Sequence, residues 1–273
     1  MEKLIGMDIG GTFVKAGLFS REGALEGTAK VPTGTLTTAA DFARICGMLS
    51  ELLGAHGASV DDVMGVGCDV PGPVDAAGDV GMLPNIALDV PGLKAALCTA
   101  FPQAKFAFAN DANAAAVGEY WQGAGRGASI FVLVALGTGV GGGVVVDGQL
   151  LPGAFGTGGE IGHLTVERDE PAACGCGRHG CLEQYASATG VVRLYQAECA
   201  HRGMVPVQLS GPSDSLAVFE AMQAGDEAAC AAVARMADYL GFAIAQVSTV
   251  VDPELFLIGG GMGAGFAQFA DAL

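Results

Sequence analysis

The stretch that most constrains this chain runs from residue 158 to residue 183 and reads GGEIGHLTVERDEPAACGCGRHGCLE. It contains a set of potential metal ligands, His163, Cys174, Cys176 and Cys181. One histidine and three cysteines complete a tetrahedral Zn²⁺ sphere without an open position, which is typical of structural zinc sites and not of water-activating ones. The pattern therefore predicts a segment whose fold is fixed by a structural zinc ion.

The same segment carries three glycines that allow a short chain to turn back on itself, Gly175, Gly177 and Gly180. Such turns would let three nearby cysteines reach one ion. Two alternatives are a group of ordinary reduced cysteines and a redox pair. The spacing is C-x-C and differs from the C-x-x-C of thioredoxin-like redox sites, which favours zinc.

Two carboxylates in this stretch, Glu160 and Glu183, are not needed as metal ligands. Glu160 and His163 are three positions apart, so on a helix they would share one face. A zinc-bound histidine also keeps its second ring nitrogen for a hydrogen bond. We hypothesise that the metal fixes a wall of His and Glu side chains that binds a polyhydroxyl ligand.

The order of these residues resembles a known family. G-G-E-I-G-H followed by C-G-C-G-x-x-G-C-x-E is similar to the paired signatures of the ROK family of sugar kinases and sugar-responsive repressors. The resemblance covers nearly all of residues 3–265. It implies a two-lobed α/β protein with the ribonuclease H-like fold of the actin, hexokinase and Hsp70-like ATPases. It also implies ATP, Mg²⁺ and a structural Zn²⁺ as bound groups, and a hexose as substrate.

Composition narrows the expected partners. The chain has 273 residues, enough for a large core in two lobes, and a formal net charge of −16. That charge argues against nucleic acid or an anionic membrane as a partner. The N-terminal stretch reaches Asp8 after a short apolar run, which is not the pattern of a signal peptide. Eight cysteines without such a peptide favour a reducing cytoplasm.

The chain begins with a pattern of strand, glycine turn and strand, which predicts a β-hairpin. The turn is Gly10-Gly11-Thr12, with Asp8 before it and Lys15 after it. Backbone N–H groups in a glycine turn can approach phosphate oxygens closely, although a plain hairpin gives the same pattern. D-I-G-G-T is similar to the first phosphate loop of these ATPases. The resemblance implies that Asp8 orients hydrated magnesium and that Gly10, Gly11, Thr12 and Lys15 bind the nucleotide.

Two positions are candidates for sugar contact by resemblance alone. Gly72 lies in a P-G-P-V-D loop, and a comparable loop lines the sugar pocket in the family. The dipeptide Cys68-Asp69 precedes it, where the family usually has small residues. Asn85 stands where related kinases place an Asn near the sugar, and the alternative interpretation is an ordinary turn residue.

A strand pattern over residues 104–109 leads into Asn110-Asp111 and then into a helix pattern. Either side chain could simply cap that helix. N-D-A-N resembles the family segment that carries the catalytic aspartate, with the preceding Asn on the sugar. The resemblance therefore implies that Asp111 accepts a proton from a sugar hydroxyl as that hydroxyl attacks the γ-phosphate. Phosphoryl transfer needs mainly positioning, charge neutralisation and one residue that orients the nucleophile.

The strand, turn and strand pattern recurs around Gly137-Thr138-Gly139, which predicts a second lobe built like the first and a second phosphate loop. A further glycine turn, Gly259-Gly260-Gly261, follows a strand pattern at residues 255–258. Its spacing also fits a dinucleotide-binding turn, but the sequence ends in the next helix, before the second strand of such a unit. In the family, the comparable turn lies against the adenosine.

Together the patterns predict an N-terminal lobe over residues 1–109 and a C-terminal lobe over residues 110–273, with further helix expected beyond Leu273. The predicted function is ATP-dependent phosphorylation of a hexose, with glucose O6 as the acceptor. The predicted sugar-binding residues are Gly72, Asn85, Asn110, Asp111, Glu160, His163 and Glu183. The alternatives are another hexose such as N-acetylmannosamine or fructose, a non-catalytic sugar sensor of the same family, and a zinc-stabilised binding module. The family is often dimeric or tetrameric, which implies a homo-oligomer.

Overall fold

A computed structural model describes residues 2–83, 86–263, 265–270 and 273 of the chain. The strands of this part form two sheets. The first sheet contains Lys3–Ile9 (β1), Phe13–Ser20 (β2), Leu25–Pro32 (β3), Val63–Val70 (β4) and Lys105–Asn110 (β5). The second contains Ile130–Leu136 (β6), Val140–Val146 (β7), Gln149–Leu150 (β8) and Leu255–Gly259 (β9). The helices are Ala39–Ala55 (α1), Val90–Ala100 (α2), Asp111–Gln122 (α3), Glu183–Ala186 (α4), Ala188–Arg202 (α5), Ser215–Gln223 (α6), Glu227–Val251 (α7) and Gly260–Gly263 (α8).

The first sheet has the strand order β3-β2-β1-β4-β5. β1 and β2 pair antiparallel, which confirms the predicted hairpin, and β4 lies parallel to both β1 and β5. The edge strand β3 was not predicted. Its sequence LEGTAKVP has few apolar residues and most of its side chains are exposed, so it lacks the buried alternation of a core strand.

Helix α1 packs on this sheet with the apolar face that its sequence predicts. Phe42, Ile45 and Leu49 are buried in the core of the first sheet. Of the two threonines that could cap this helix, Thr37 and Thr38, the cap is Thr38: its hydroxyl accepts from the Asp41 N–H, while the Asp41 carboxylate accepts from the Thr38 N–H. This reciprocal pair satisfies N–H groups that have no partner inside the helix, so the helix begins here.

The second sheet has the order β8-β7-β6-β9 and repeats the pairing of the first. β6 and β7 form an antiparallel hairpin, and β9 lies parallel to β6, as β4 lies parallel to β1. The predicted duplication is therefore present in the connectivity of the sheets. Both have the antiparallel hairpin and parallel neighbour of a ribonuclease H-like fold.

Helix α7 forms much of the core on the second sheet. Its buried residues include Val233, Met236 and Leu240, which pack in one cluster with β6 and α5. In length and composition, α7 is also the one helix of the described residues that could cross a membrane. Its packing against the sheet and neighbouring helices explains the apolar composition as that of a core helix.

Contacts divide the chain into two compact units. The first contains the residues up to Ala114 together with Pro152–Gly158, and the second contains Ala115–Leu151 and the residues from Gly159 onward. The predicted division after residue 109 differs from this one, because the first turn of α3 belongs with the first sheet. The helical pattern after Cys181 predicts one helix from Gln184 to Arg193. The structure has two helices there, α4 and α5, separated at Ser187, whose side chain caps α5 by accepting from the Gly190 N–H.

Candidate functional site

In the first unit, the candidate residues lie at the carboxyl ends of parallel strands. Asp8 is near the end of β1, Asp69 is near the end of β4, and Asp111 directly follows β5. The carboxyl ends of parallel strands are the usual position of ligand sites in α/β proteins. Asp8 and Asp69 are direct partners in the β1–β4 register, so their side chains leave the sheet on the same face.

Asp8 is paired across the hairpin with Lys15, and the Lys15 Nζ lies 2.8 Å from the Asp8 Oδ2. The hydrogen bond and the charge of Asp8 raise the pKa of Lys15. Both side chains are exposed, so this ion pair contributes little to stability. The effect of the ion pair is to hold a positive charge beside a carboxylate at the glycine turn.

Asp69 is a candidate that the sequence analysis did not select. Burial, together with the neighbouring charges of Asp8 and Asp111, raises the pKa of Asp69 to about 7. The signal in the sequence was the acidic residue at a position where the family usually has a small one, but only the strand register shows what lies beside it.

Asn110 and Asp111 are placed together by the end of β5 and the start of α3. The Asn110 Oδ1 accepts from the Ala112 N–H at 3.0 Å, and its Nδ2 donates to the Gly72 carbonyl at 3.3 Å. Asn110 therefore caps the helix and also fixes the P-G-P-V-D loop. The protein packed around Asp111 raises the pKa of its carboxyl group, although the side chain reaches solvent.

The first glycine turn is open where a phosphate would approach. A methyl group on Gly11 would contact nothing within 4 Å, and one on Gly10 would lie 3.2 Å from the Phe13 carbonyl oxygen. Thr12 is exposed in the same turn. Gly72 is more confined, since a methyl group there would lie 2.6 Å from the Leu83 side chain. The predicted sugar residue Asn85 lies outside the described residues.

In the second unit, the structure brings together the four predicted metal ligands, His163, Cys174, Cys176 and Cys181. Their ligand atoms all lie within 4.8 Å of one another. The Cys176 and Cys181 sulfurs are 3.6 Å apart, and the Cys174 sulfur is 3.8 Å from the His163 Nδ1. Zn–S bonds of about 2.3 Å in a tetrahedron give ligand separations of about 3.8 Å. The donor set and its spacing therefore fit one zinc ion.

Two of the three glycines in this segment adopt conformations that side chains disfavour. Gly177 has φ +82° and Gly180 has φ +70°. A methyl group on Gly180 would lie 1.5 Å from the Glu167 carbonyl oxygen, so this turn requires glycine. Gly175 does not have a positive φ, and the role predicted for it is not required by its backbone.

The carboxylates that zinc does not need lie beside the cysteine cluster. The Glu183 Oε1 is 3.8 Å from the Cys174 sulfur, and its Oε2 accepts from the Val140 N–H at 3.1 Å. Glu160 directly precedes a 3₁₀ turn, Ile161–His163, instead of lying on an α-helix. Glu160 is the N-cap of this turn and is not helical itself, so the shared face proposed for Glu160 and His163 stays a prediction.

The two glycine turns of the second unit lie at the same end of the second sheet, where the parallel strands β6 and β9 finish. Gly137-Thr138-Gly139 follows β6 and Gly259-Gly260-Gly261 is at the end of β9, which is parallel to β6. Gly260 has φ +82°, and a methyl group on it would lie 2.3 Å from the carbonyl oxygen of Leu136. The α5 N-terminus packs on the first of these turns, because the Ala188 N–H donates to the Gly137 carbonyl at 2.8 Å.

The two sheets, which share one pattern of strand pairing, place this protein in the actin and hexokinase class of ATPase folds. A sequence profile of the ROK family matches residues 4–269, and the chain belongs to that family.

Two curated relatives and two solved structures illustrate the likeness. A glucokinase from Halalkalibacterium halodurans is 38% identical over 272 residues, which covers 94% of this chain and 80% of the relative. An N-acetyl-D-glucosamine kinase from Escherichia coli is 32% identical over 281 residues, which covers 98% of this chain and 88% of the relative.

The crystal structure of a ROK family glucokinase from Streptomyces griseus, in complex with glucose and AMPPNP, superposes with a TM-score of 0.78 at 32% identity. That alignment covers 99% of this chain and 86% of the other. A ROK family transcriptional regulator, a homolog of the Escherichia coli MLC protein, gives a TM-score of 0.84 at 26% identity, covering 99% of this chain and 68% of the other.

Proposed function

We propose that this protein is an ATP-dependent hexose kinase that phosphorylates glucose at O6. The observation that carries the proposal is Asp111, a carboxylate with a raised pKa at the carboxyl end of β5, in a chain 38% identical to a glucokinase. A general base works best when its pKa is closer to neutral than that of an ordinary aspartate.

In the proposed reaction, the sugar hydroxyl oxygen forms a bond to the γ-phosphorus of ATP as the bond to the bridging oxygen breaks. Asp111 accepts the hydroxyl proton, ADP leaves, and the sugar phosphate is the product. Asn110 supports this role, because its hydrogen bonds to the start of α3 and to Gly72 fix the backbone around Asp111. Catalysis then rests mainly on orientation and on neutralisation of the phosphate charge.

The nucleotide would be bound by residues in and beside the glycine turns. The proposed residues are Asp8, Gly10, Gly11, Thr12, Lys15, Gly137, Thr138, Gly139, Gly259, Gly260 and Gly261. Mg²⁺, when bound, would neutralise charge on the phosphates, and the carboxylate of Asp8 is suited to hold its water shell. Lys15 would release Asp8 for this task, since their exposed ion pair is weak.

The sugar hydroxyls would be bound by the wall beside the cysteine cluster. Glu160, His163 and Glu183 supply carboxylates and an imidazole, and zinc held by the four ligands would fix their positions. The His163 Nδ1 faces Cys174, which leaves the Nε2 as the nitrogen for a sugar hydroxyl. Paired hydrogen bonds discriminate between epimers, because an unmatched sugar leaves buried polar groups without partners. Asn110, Gly72 and Asn85 complete the proposed set of sugar-binding residues.

A second candidate substrate is N-acetyl-D-glucosamine, favoured by the 32% identity to a kinase for that sugar. We also infer a cytoplasmic protein, since none of the eight cysteines, all among the described residues, is in a disulfide, which suits a reducing compartment. A homo-oligomer stays a prediction from the family resemblance, to be tested by light scattering of the purified protein.

The deciding experiment measures ATP consumption with Mg²⁺ across glucose, mannose, fructose, N-acetylglucosamine and N-acetylmannosamine. Turnover with glucose alone supports the proposal, and turnover with another sugar keeps the mechanism and corrects the substrate. The variant Asp111→Asn should lose about 10²–10⁴-fold in kcat. It should still bind sugar by calorimetry. Sugar binding without turnover by the unmodified protein would favour the sensor or the binding module.

A further inference from the structure

Outside the proposed site, the second unit contains a buried carboxylate with an unusually complete set of partners. The Glu170 side chain is only 7% exposed. Its Oε2 accepts from the Tyr185 hydroxyl at 2.5 Å and from the Arg193 Nη1 at 2.9 Å. Its Oε1 accepts from the Ala172 N–H at 3.1 Å. Burial of a charged group is costly unless it is paired in this way.

The partners of Glu170 come from three places along the chain. Ala172 belongs to the cysteine segment, Tyr185 to α4, and Arg193 to α5. Arg193 also donates to the Gln184 carbonyl at 2.9 Å, and its guanidinium lies 5.0 Å from the centre of the Tyr185 ring. One carboxylate thus joins the cysteine segment to both of the helices that follow it.

Gln184 connects this network to the metal cluster. Its Nε2 donates to the Ala172 carbonyl at 2.9 Å, and its Oε1 accepts from the Cys181 N–H at 3.1 Å. The residue before it is Glu183, the first residue of α4 and a member of the proposed sugar wall. The partners of Glu170 therefore contact α4 at the two residues that directly follow Glu183, Gln184 and Tyr185.

Glu170 is ionised in this setting. Burial alone raises the pKa of its carboxyl group, but hydrogen bonds from Tyr185 and Ala172, with the Arg193 charge, bring the pKa below its ordinary value. A charged acceptor makes stronger and more directional hydrogen bonds than a neutral one. The ion pair and the hydrogen bonds therefore join Glu170 to Arg193 and Tyr185.

We propose that Glu170 is a positioning residue that orients Glu183 and the cysteine segment for sugar binding. The inference rests on the proposed function, in which Glu183 binds the sugar. Glu170 does not itself touch substrate. It acts through Tyr185, Arg193 and Gln184, which fix α4. Partners of this indirect kind typically change affinity or activity by about 10–100-fold when they are removed.

The test compares Glu170→Gln with the control Asp169→Asn. The control removes one charge from an exposed residue of the same segment. We expect Glu170→Gln to raise the KM for sugar about tenfold, with the KM for ATP within twofold of the original. It should also release zinc faster to a chromogenic chelator. Asp169→Asn should change none of these values. Tyr185→Phe, which removes one donor and keeps the ring, should shift the same two readouts less.

A merely structural role would lower the melting temperature of Glu170→Gln and leave its KM for sugar unchanged, which would overturn the proposal. If the unmodified protein consumes no ATP with any sugar, the proposed function fails. In that case, sugar binding measured by calorimetry and zinc release by the same variants still test the positioning role of Glu170. Equal sugar affinity and equal zinc release in Glu170→Gln and the unmodified protein would refute its positioning role.

Discussion

The contact between Gly139 and Glu183 allows a prediction with a magnitude. A methyl group on Gly139 would lie 2.3 Å from the Glu183 Oε2, whereas ordinary contact begins at 3.4 Å. In Gly139→Ala, this oxygen must therefore move by about 1.1 Å, which carboxylate rotation can supply. The Gly139 backbone does not have a positive φ, so alanine itself is tolerated there.

Two losses follow from that movement. The Val140 N–H loses its acceptor, and Val140 is buried, so unfolding should become easier by about 1–3 kcal/mol. That corresponds to a fall of roughly 2–10 °C in melting temperature for a protein of this size. Glu183 also leaves its place in the proposed sugar wall, and a displacement of about 1 Å can cost up to about 10²-fold in rate. We expect a 10–100-fold fall in kcat/KM for the sugar.

The assay is a double-mutant cycle with Glu183→Ala, which removes the carboxylate and hence the clash. Gly139→Ala should cost little more in that background. Gly137→Ala is the stability control, since a methyl group there would contact nothing within 4 Å and the melting temperature should stay unchanged. If Gly139→Ala reduces kcat/KM by the same factor with and without Glu183, the effect passes through the glycine turn, and the reasoning is refuted.

Further predictions concern pH, packing and metal. In the pH profile of kcat/KM, the apparent pKa on the acid side should lie above the ordinary aspartate pKa of 3.8. The reason is that Asp111 must lose its proton to act as a base and its pKa is raised. An apparent pKa of 3.8 or below would contradict this. Asp69 has a folded pKa of about 7 against an ordinary 3.8, so its stabilising contribution is complete below 3.8 and is lost as pH rises through 7. Asp69→Asn should therefore raise the free energy of unfolding of the metal-free protein at pH 8, on the order of 1–3 kcal/mol, and should leave it unchanged at pH 4. Urea unfolding at the two pH values measures both. Gly162→Ala should lower the free energy of unfolding by about 2–3 kcal/mol, because its methyl group would lie 1.9 Å from the Val140 carbonyl oxygen. The control is Gly118→Ala, whose methyl group would lie in open space on α3. The same measurement should show it to be neutral or stabilising by up to about 1 kcal/mol. Chelation at the cysteine cluster should raise the KM for sugar, with recovery on adding Zn²⁺ but not Mg²⁺; an unchanged KM after verified metal loss would exclude a role for the ion in the sugar wall.

Local patterns in the sequence were sufficient for much of the fold. Both hairpins, the start of α1 at Thr38 and the apolar face of α7 follow from periodicity, glycine turns and capping residues. The edge strand β3 was missed because it is held by pairing with β2 and not by burial of its own side chains. The break at Ser187 was missed because Ser187 caps a helix in the middle of a continuous helical pattern.

The candidate site was predictable where its residues are neighbours in sequence. The four residues proposed as zinc ligands fall in one short segment, so their spacing alone indicates a candidate metal site. Sequence spacing could not indicate that Asp69 belongs to the site, because only the parallel pairing of β1 with β4 places it beside Asp8. The same holds for Glu170, since its partners Tyr185 and Arg193 meet it only when α4 and α5 pack on the cysteine segment.

Glu183 shows how a local pattern and a nonlocal contact combine. The sequence indicates a carboxylate that a complete zinc sphere does not need, and therefore a carboxylate with another task. The structure gives its two oxygens different neighbours, the Cys174 sulfur and the Val140 N–H. Val140 directly follows the glycine turn proposed for phosphate. A displacement of the cysteine segment would therefore move Glu183 relative to that turn, so the proposed zinc ion would influence the reaction through this side chain without taking part in the chemistry.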